Sequence, residues 1–230
     1  MAAVMSATSP PVRRAKVRPV CRRQNKERIA EKQVNHDLFY SGPRVVFLGD
    51  SYTAARQASS VRTGWAVELA VREHWQPVLL GISGTGFAAT GRCGNDRYAT
   101  RYDDVIRTHP DAVIIEGGYN DRGTKPSVEE QLVLSGIRRL RMALPGVPVA
   151  LIGPAVPTAS VASQIVPITL ALRQAATQTG VTFVDPAGER WFTQENRGRL
   201  ISADHVHPND AGYAYMARRV AGPLEGWLSG

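Results

Sequence analysis

The stretch VVFLGDSYTAA, residues 45–55, decides how the chain is read. Four apolar residues, Val45 to Leu48, run straight into Gly49, Asp50 and Ser51. A continuous apolar run suits a strand covered on both faces, as in a parallel sheet. Such a strand can end in a plain turn. It can also end in a nucleophile held at the carboxyl edge of the sheet, where open α/β sheets bind their ligands. The second reading requires a base, an orienting acid and an oxyanion hole elsewhere in the chain.

From Arg44 onward the same pattern repeats. Apolar runs occur at VVFL (45–48), PVLLGI (77–82), DAVIIEGG (111–118), PVALIG (148–153) and VTFVD (181–185). Amphipathic stretches near 63–75, 97–108, 127–143 and 161–179 lie between them, and a last one begins near Asn209. Strands alternating with helices imply βαβ units, right-handed crossovers and a parallel sheet. The expectation is one α/β domain, a three-layer α/β/α sandwich on a five-stranded parallel sheet of flavodoxin-like type. It spans residues 41–230, with the boundary at Ser41-Gly42-Pro43.

Size and composition fit this. The 230 residues are 43% hydrophobic and 21% charged, ordinary for a globular domain. No apolar run approaches the roughly 18 residues of a membrane span. The N-terminal MAAVMSATSPPVRRAKVRPV lacks the apolar core of a secretory signal. A cytoplasmic protein is the expectation, with export by another route or association with a larger particle left open. Cys21 and Cys93 read as two unpaired thiols, and no C-x-x-C pair holds a metal. No cofactor or metal is expected.

The net charge of +8 is uneven. Residues 1–40 hold nine Lys/Arg against three acids, +6 in all, which leaves +2 for the rest. Residues 1–20 read as disordered and residues 22–38 as a marginal exposed helix. A basic arm of this kind suits contact with a polyanion or a protein partner; the alternative is a merely solvated extension. Oligomeric state is not legible.

The residues just past each strand carry the chemistry. A serine hydroxyl needs a base, and histidine is the usual one. Of the five histidines, His36 lies outside the α/β pattern, while His74 and His109 fall at the wrong edge of the sheet. His205 and His207 remain, in DHVHP (204–208). Asp204, three residues before His207, can bond one imidazole nitrogen and leave the other for Ser51. Pro208 fixes the backbone after the histidine, and Asn209 can cap the next helix. Donors for an oxyanion are available from the Ser51 N–H, from Gly84 in SGTG and from the Asn120 amide in GGYND, each worth about 3–4 kcal/mol of barrier. Asp50 reads as a structural residue that holds the loop through backbone N–H groups. Tyr52, Phe87 and Tyr119 are candidates for substrate lining, or else packing residues.

On GDSY at Ser51, SGTG at Gly84, GGYND at Asn120 and DHVHP at His207, the chain resembles the SGNH hydrolases, the GDSL esterase/lipase superfamily, over about residues 44–222. The resemblance implies a three-layer fold and metal-independent ester hydrolysis through an acyl-enzyme. The leading reading is a serine esterase acting on short acyl groups carried by a carbohydrate-like or small alcohol. An acyltransferase or lipase-type activity on the same fold stays open, as does a non-catalytic module with a basic arm.

Overall fold

A computed structural model describes Cys21 and residues 42–228. The expected extension at 1–40, with its marginal helix, lies outside the described residues apart from Cys21. The strands are β1 (Arg44–Gly49), β2 (Gln76–Gly81), β3 (Ala112–Glu116), β4 (Val149–Ile152) and β5 (Thr182–Val184). They form one parallel sheet in the order β2-β1-β3-β4-β5. The helices are α1 (Trp65–Arg72), α2 (Tyr102–Arg107), α3 (Pro126–Ala143), α4 (Ala162–Thr179), α5 (Arg197–Leu200) and α6 (Asp210–Ala221). All five expected strands are present. The short α5 has no counterpart among the amphipathic stretches of the sequence.

The two-residue period of each strand sorts the core into two halves. Val45, Phe47, Ala112, Ile114, Ala150 and Ile152 point to one face, where they meet Trp65 and Leu69 of α1 and Tyr213, Met216 and Val220 of α6. The ring of Phe47 meets that of Trp65 edge to face, 5.5 Å between centroids. Val46, Leu48, Val113, Ile115, Val149 and Leu151 point to the other face. There they meet Tyr102 and Val105 of α2, Val133 and Ile137 of α3, and Ile168 and Leu172 of α4. Both faces of the central strands β1, β3 and β4 are therefore dry, which is why they read as unbroken apolar runs.

The sheet order places the site. β2 lies on one side of β1 and β3 on the other, so the loops leaving β1 and β3 diverge at a topological switch point. Ser51 follows β1, and Asn120 follows β3. α6 starts immediately after the DHVHP segment, and Asn209 Oδ1 caps it by accepting the Gly212 N–H at 3.0 Å.

Cys21 and Cys93 form a disulfide, with Cα atoms 5.4 Å apart. This corrects the expectation of unpaired thiols. The two residues are 72 positions apart, and nothing in their spacing signals a pair.

Candidate active site

Ser51 sits in the turn after β1, only 6% exposed. Its loop folds back on itself through Ala54 N–H to Asp50 O at 3.0 Å and Arg56 N–H to Ser51 O at 2.9 Å. His207 arrives from the far end of the chain on a loop closed by Ser202 N–H to His207 O at 2.8 Å and Asn209 N–H to Leu200 O at 3.0 Å. Tyr52 clamps this loop to the first one, its hydroxyl donating to Val206 O at 2.6 Å. The result is a continuous chain of contacts. Ser51 Oγ lies 2.9 Å from His207 Nε2, and His207 Nδ1 lies 2.7 Å from Asp204 Oδ2.

Asp204 is densely held. Its Oδ1 accepts from Ser202 Oγ at 2.8 Å and from the Val206 and His207 N–H groups at 2.9 Å each. Its Oδ2 also accepts from Gln57 Nε2 at 2.9 Å. Burial opposes its charge, but the hydrogen bonds from His207, Gln57 and Val206 outweigh it and hold the carboxyl well below the usual range. For His207 the balance goes the other way. Burial lowers its affinity for a proton, and the Asp204 contact only partly restores it. The imidazole is therefore neutral at neutral pH, the form a general base needs.

Two backbone donors lie past the carboxyl ends of neighbouring strands β1 and β2. The N–H groups of Ser51 and Gly84 have no acceptor among the described residues. Gly84 has φ +82°, a left-handed conformation that glycine adopts without steric cost. Asn120 is different. Its Nδ2 donates to Asp50 Oδ2 at 3.0 Å and to Thr85 O at 2.9 Å, so both of its N–H bonds are engaged.

Beneath the serine lies a buried polar layer of which the sequence announced only Asp50. Asp50 accepts the Tyr52 N–H at 2.8 Å, in keeping with a loop-holding role, and also orients Asn120. Glu116, the last residue of β3, accepts from Thr53 Oγ1 at 2.9 Å. Burial pushes both carboxyls up, Asp50 to about 7; the Asp121 charge raises Asp50 further and the Asp50 charge raises Glu116 further, so the layer holds a proton. Arg101, itself buried, donates to Leu80 O at 2.7 Å and to Gly49 O and Thr85 Oγ1 at 3.0 Å each. It ties the ends of β1 and β2 to the Gly84 loop. Among the described residues no group of three or more His, Cys, Asp or Glu is arranged to hold a metal.

The other candidates fall elsewhere. His205 is exposed at φ +59°, and His74 and His109 sit before β2 and β3, at the amino edge. His36 lies outside the described residues. Tyr52 and Phe87 are 2% and 1% exposed, so the expectation that they line a substrate lip gives way to packing. Tyr52 stands against His207 and Tyr213, and Phe87 against Tyr98. Tyr119 is covered by the Arg122 guanidinium, 4.2 Å above its ring.

The profile of the GDSL-like lipase/acylhydrolase family matches residues 47–215, most of the chain. The chain belongs to this family. A GDSL lipase of Mycobacterium tuberculosis is 32% identical over 192 residues, covering 77% of this chain and 79% of the relative. Among solved structures, this family member shares its fold with a psychrotrophic esterase of Pseudoalteromonas (TM-score 0.63, 21% identity, 82% of this chain and all of that one). A family two carbohydrate esterase of Cellvibrio japonicus is similar too (TM-score 0.67, 15% identity, 84% and 63%). The GDSL chain is thus an SGNH-type ester hydrolase on a five-stranded α/β sheet.

Proposed function

We propose that Ser51 is the nucleophile of this ester hydrolase, His207 its base and Asp204 the acid that orients the base. The observation that carries the reading is the unbroken Ser51–His207–Asp204 path at 2.9 and 2.7 Å, with His207 held neutral. Ser51 Oγ attacks the ester carbonyl carbon as His207 Nε2 takes the hydroxyl proton. Collapse of the tetrahedral intermediate breaks the carbon–alkoxy bond, and His207 returns the proton to the leaving alcohol. Water then attacks the acyl-enzyme, giving its proton to His207, and Ser51 leaves with that proton as the acid is released. The developing oxyanion faces the free N–H groups of Ser51 and Gly84. Asn120 joins them by exchanging the Thr85 carbonyl for the substrate oxygen. A charged oxygen is the stronger acceptor, so the exchange is favoured only as charge develops, which places its benefit in the transition state.

For the substrate we propose short acyl groups on a carbohydrate-like or small alcohol. The burial of Tyr52 and Phe87 supports this, since it removes two apolar side chains that would have sheltered a fatty chain. The relative's description as a lipase favours a second reading, longer acyl chains. A chain-length series of chromogenic esters, with Ser51→Ala as the blank, tests both. Turnover falling steeply beyond short acyl groups supports the first reading, and turnover rising with length supports the second.

No helix among the described residues is long and apolar enough to cross a membrane. The Cys21–Cys93 disulfide supports a working place in an oxidising compartment over a reducing cytoplasm. Thiol titration of protein isolated under alkylating conditions tests this. Contact of residues 1–40 with a polyanion rests on charge alone, and a salt titration of heparin binding tests it.

A further inference from the structure

A second carboxylate stands next to Asn120, and it holds the loop that carries Gly84. Asp121 is 1% exposed. Its Oδ2 accepts the Phe87 N–H at 3.0 Å, and its Oδ1 accepts those of Ala88 and Ala89 at 3.0 and 2.7 Å. Gly86 lies against it so closely that an added Cβ would fall 2.1 Å from Oδ2. The loop is thus wrapped around one carboxylate, between Gly84 on one side and the Thr85–Thr90 bridge on the other.

Behind Asp121 lies Glu129, near the start of α3. It is fully buried, and neither of its oxygens meets a hydrogen-bond donor among the described residues. Within hydrogen-bond reach stands the Asp121 carboxyl group. Two carboxylates cannot stay ionised in such contact in a dry interior, whereas one proton between them makes a strong charge-assisted bond. Three N–H donors suit a carboxylate at Asp121. Glu129, with none, is the partner that carries the proton.

We propose that Glu129 is a positioning residue of this enzyme: as a neutral acid it donates a hydrogen bond to Asp121 and so braces the loop that presents the Gly84 N–H to the substrate oxygen. This rests on the assignment of Gly84 to the oxyanion hole. The groups that face Glu129 are Asp121, from the turn after β3, and Tyr102, from α2. Arg101 and Arg139 act on Tyr102, and neither is hydrogen-bonded to Glu129. Burial first, and then the Asp121 charge, push the Glu129 carboxyl up to about 9. The proton therefore stays through the neutral range and leaves in alkali, where two negative charges then oppose each other behind the loop.

The test compares wild type, Glu129→Gln and Glu129→Leu on p-nitrophenyl acetate, with an infrared spectrum of each. Gln keeps a neutral donor, so kcat near pH 7 stays within about threefold, and the alkaline fall of kcat expected for wild type disappears. Leu fills the space without a donor, so kcat falls about tenfold, part of the loss of a whole oxyanion donor, while KM stays within about twofold. The wild-type-minus-Gln infrared difference at neutral pH shows the carbonyl band of a protonated acid, lost in alkali. That band does not depend on turnover, so it still reports on Glu129 if the esterase assignment itself fails. The proposal is overturned by wild-type kcat in the Leu variant, by an alkaline limb that persists in the Gln variant, or by absence of the band. If the Leu variant does not fold, the Gln profile and the band decide.

Discussion

Asp204 and Asp50 both belong to the serine's surroundings, and both accept hydrogen bonds, yet their surroundings drive them in opposite directions. Asp204 is partly exposed and receives five contacts, from Ser202, Val206, Gln57 and both the backbone and the ring of His207. Its negative charge is secured. Asp50 is wholly buried, with the carboxyl of Glu116 beside it, and the pair is held partly protonated. Donor count wins at the first site and desolvation at the second. The difference fits a division of labour. In the proposed mechanism Asp204 must stay charged to stabilise an imidazolium, whereas the Asp50 layer only has to hold loops and Asn120 in place.

The largest effect should come from removing the charge at Asp204 while keeping its shape. Asp204→Asn should lower kcat about 1,000- to 10,000-fold, because His207 loses both its tautomer control and its counter-charge. Steady-state kinetics on a soluble short-chain ester checks this. A loss under tenfold would mean that His207 is oriented by something else.

Asn120 comes next, since it is the proposed oxyanion donor that Asp50 holds in place. Asn120→Ala should reduce kcat about 100- to 1,000-fold with little change in KM, the signature of an interaction made only in the transition state. An equal change in KM alone would place Asn120 in substrate binding instead.

A smaller effect is expected in the acid limb of kcat/KM. Because burial depresses the proton affinity of His207, the active neutral form persists below the usual histidine value. The limb should have its midpoint below 6.5, with activity lost as pH falls through it. A midpoint above that value would show the Asp204 contact, not burial, to be dominant.

The smallest effect should come from Glu116→Gln, which keeps a neutral side chain where a neutral acid stands. Turnover should stay within about fivefold, because no reacting atom touches Glu116. Stability is the better readout. A carboxyl whose proton affinity is raised on folding costs stability once the unfolded form ionises, above its ordinary value of 4.5. The folded state then binds more protons, so stability declines as pH rises above that value and goes on falling until the folded carboxyl ionises as well. Thermal melts should show that decline in wild type and a flatter profile in the variant.

Much of this was legible in the sequence, for identifiable reasons. A parallel strand buried on both faces must be apolar throughout, so the central runs of β1, β3 and β4 announced themselves, and the half-buried edge strands β2 and β5 carried enough of the same pattern to follow. Ser51, Gly84 and Asn120 stand in short segments just past strand ends, and His207 in the DHVHP segment beyond the longer connection after β5, where topology brings them together. The buried layer was hidden because side-chain burial in loops follows from tertiary packing, which no period records. Glu129 and Glu130 are adjacent acids on one helix, and only the fold distinguishes them, by burying Glu129 fully behind Asp121. Tyr52 and Phe87 flank the motifs and suggested a binding lip, but both loops turn their rings inward. Gln57 carried no signal at all; only the fold of the 51–57 turn, with φ +70° at Gln57 itself, brings its amide to Asp204.

The central claim is that His207, oriented by Asp204, activates Ser51. A fluorophosphonate probe followed by peptide mass spectrometry tests it most directly, because the probe bonds only to an activated serine. Stoichiometric labelling of Ser51, a matching loss of ester hydrolysis, and neither labelling nor turnover in a folded Ser51→Ala protein are expected. Labelling at another serine, with Ser51→Ala still hydrolysing esters, would contradict it.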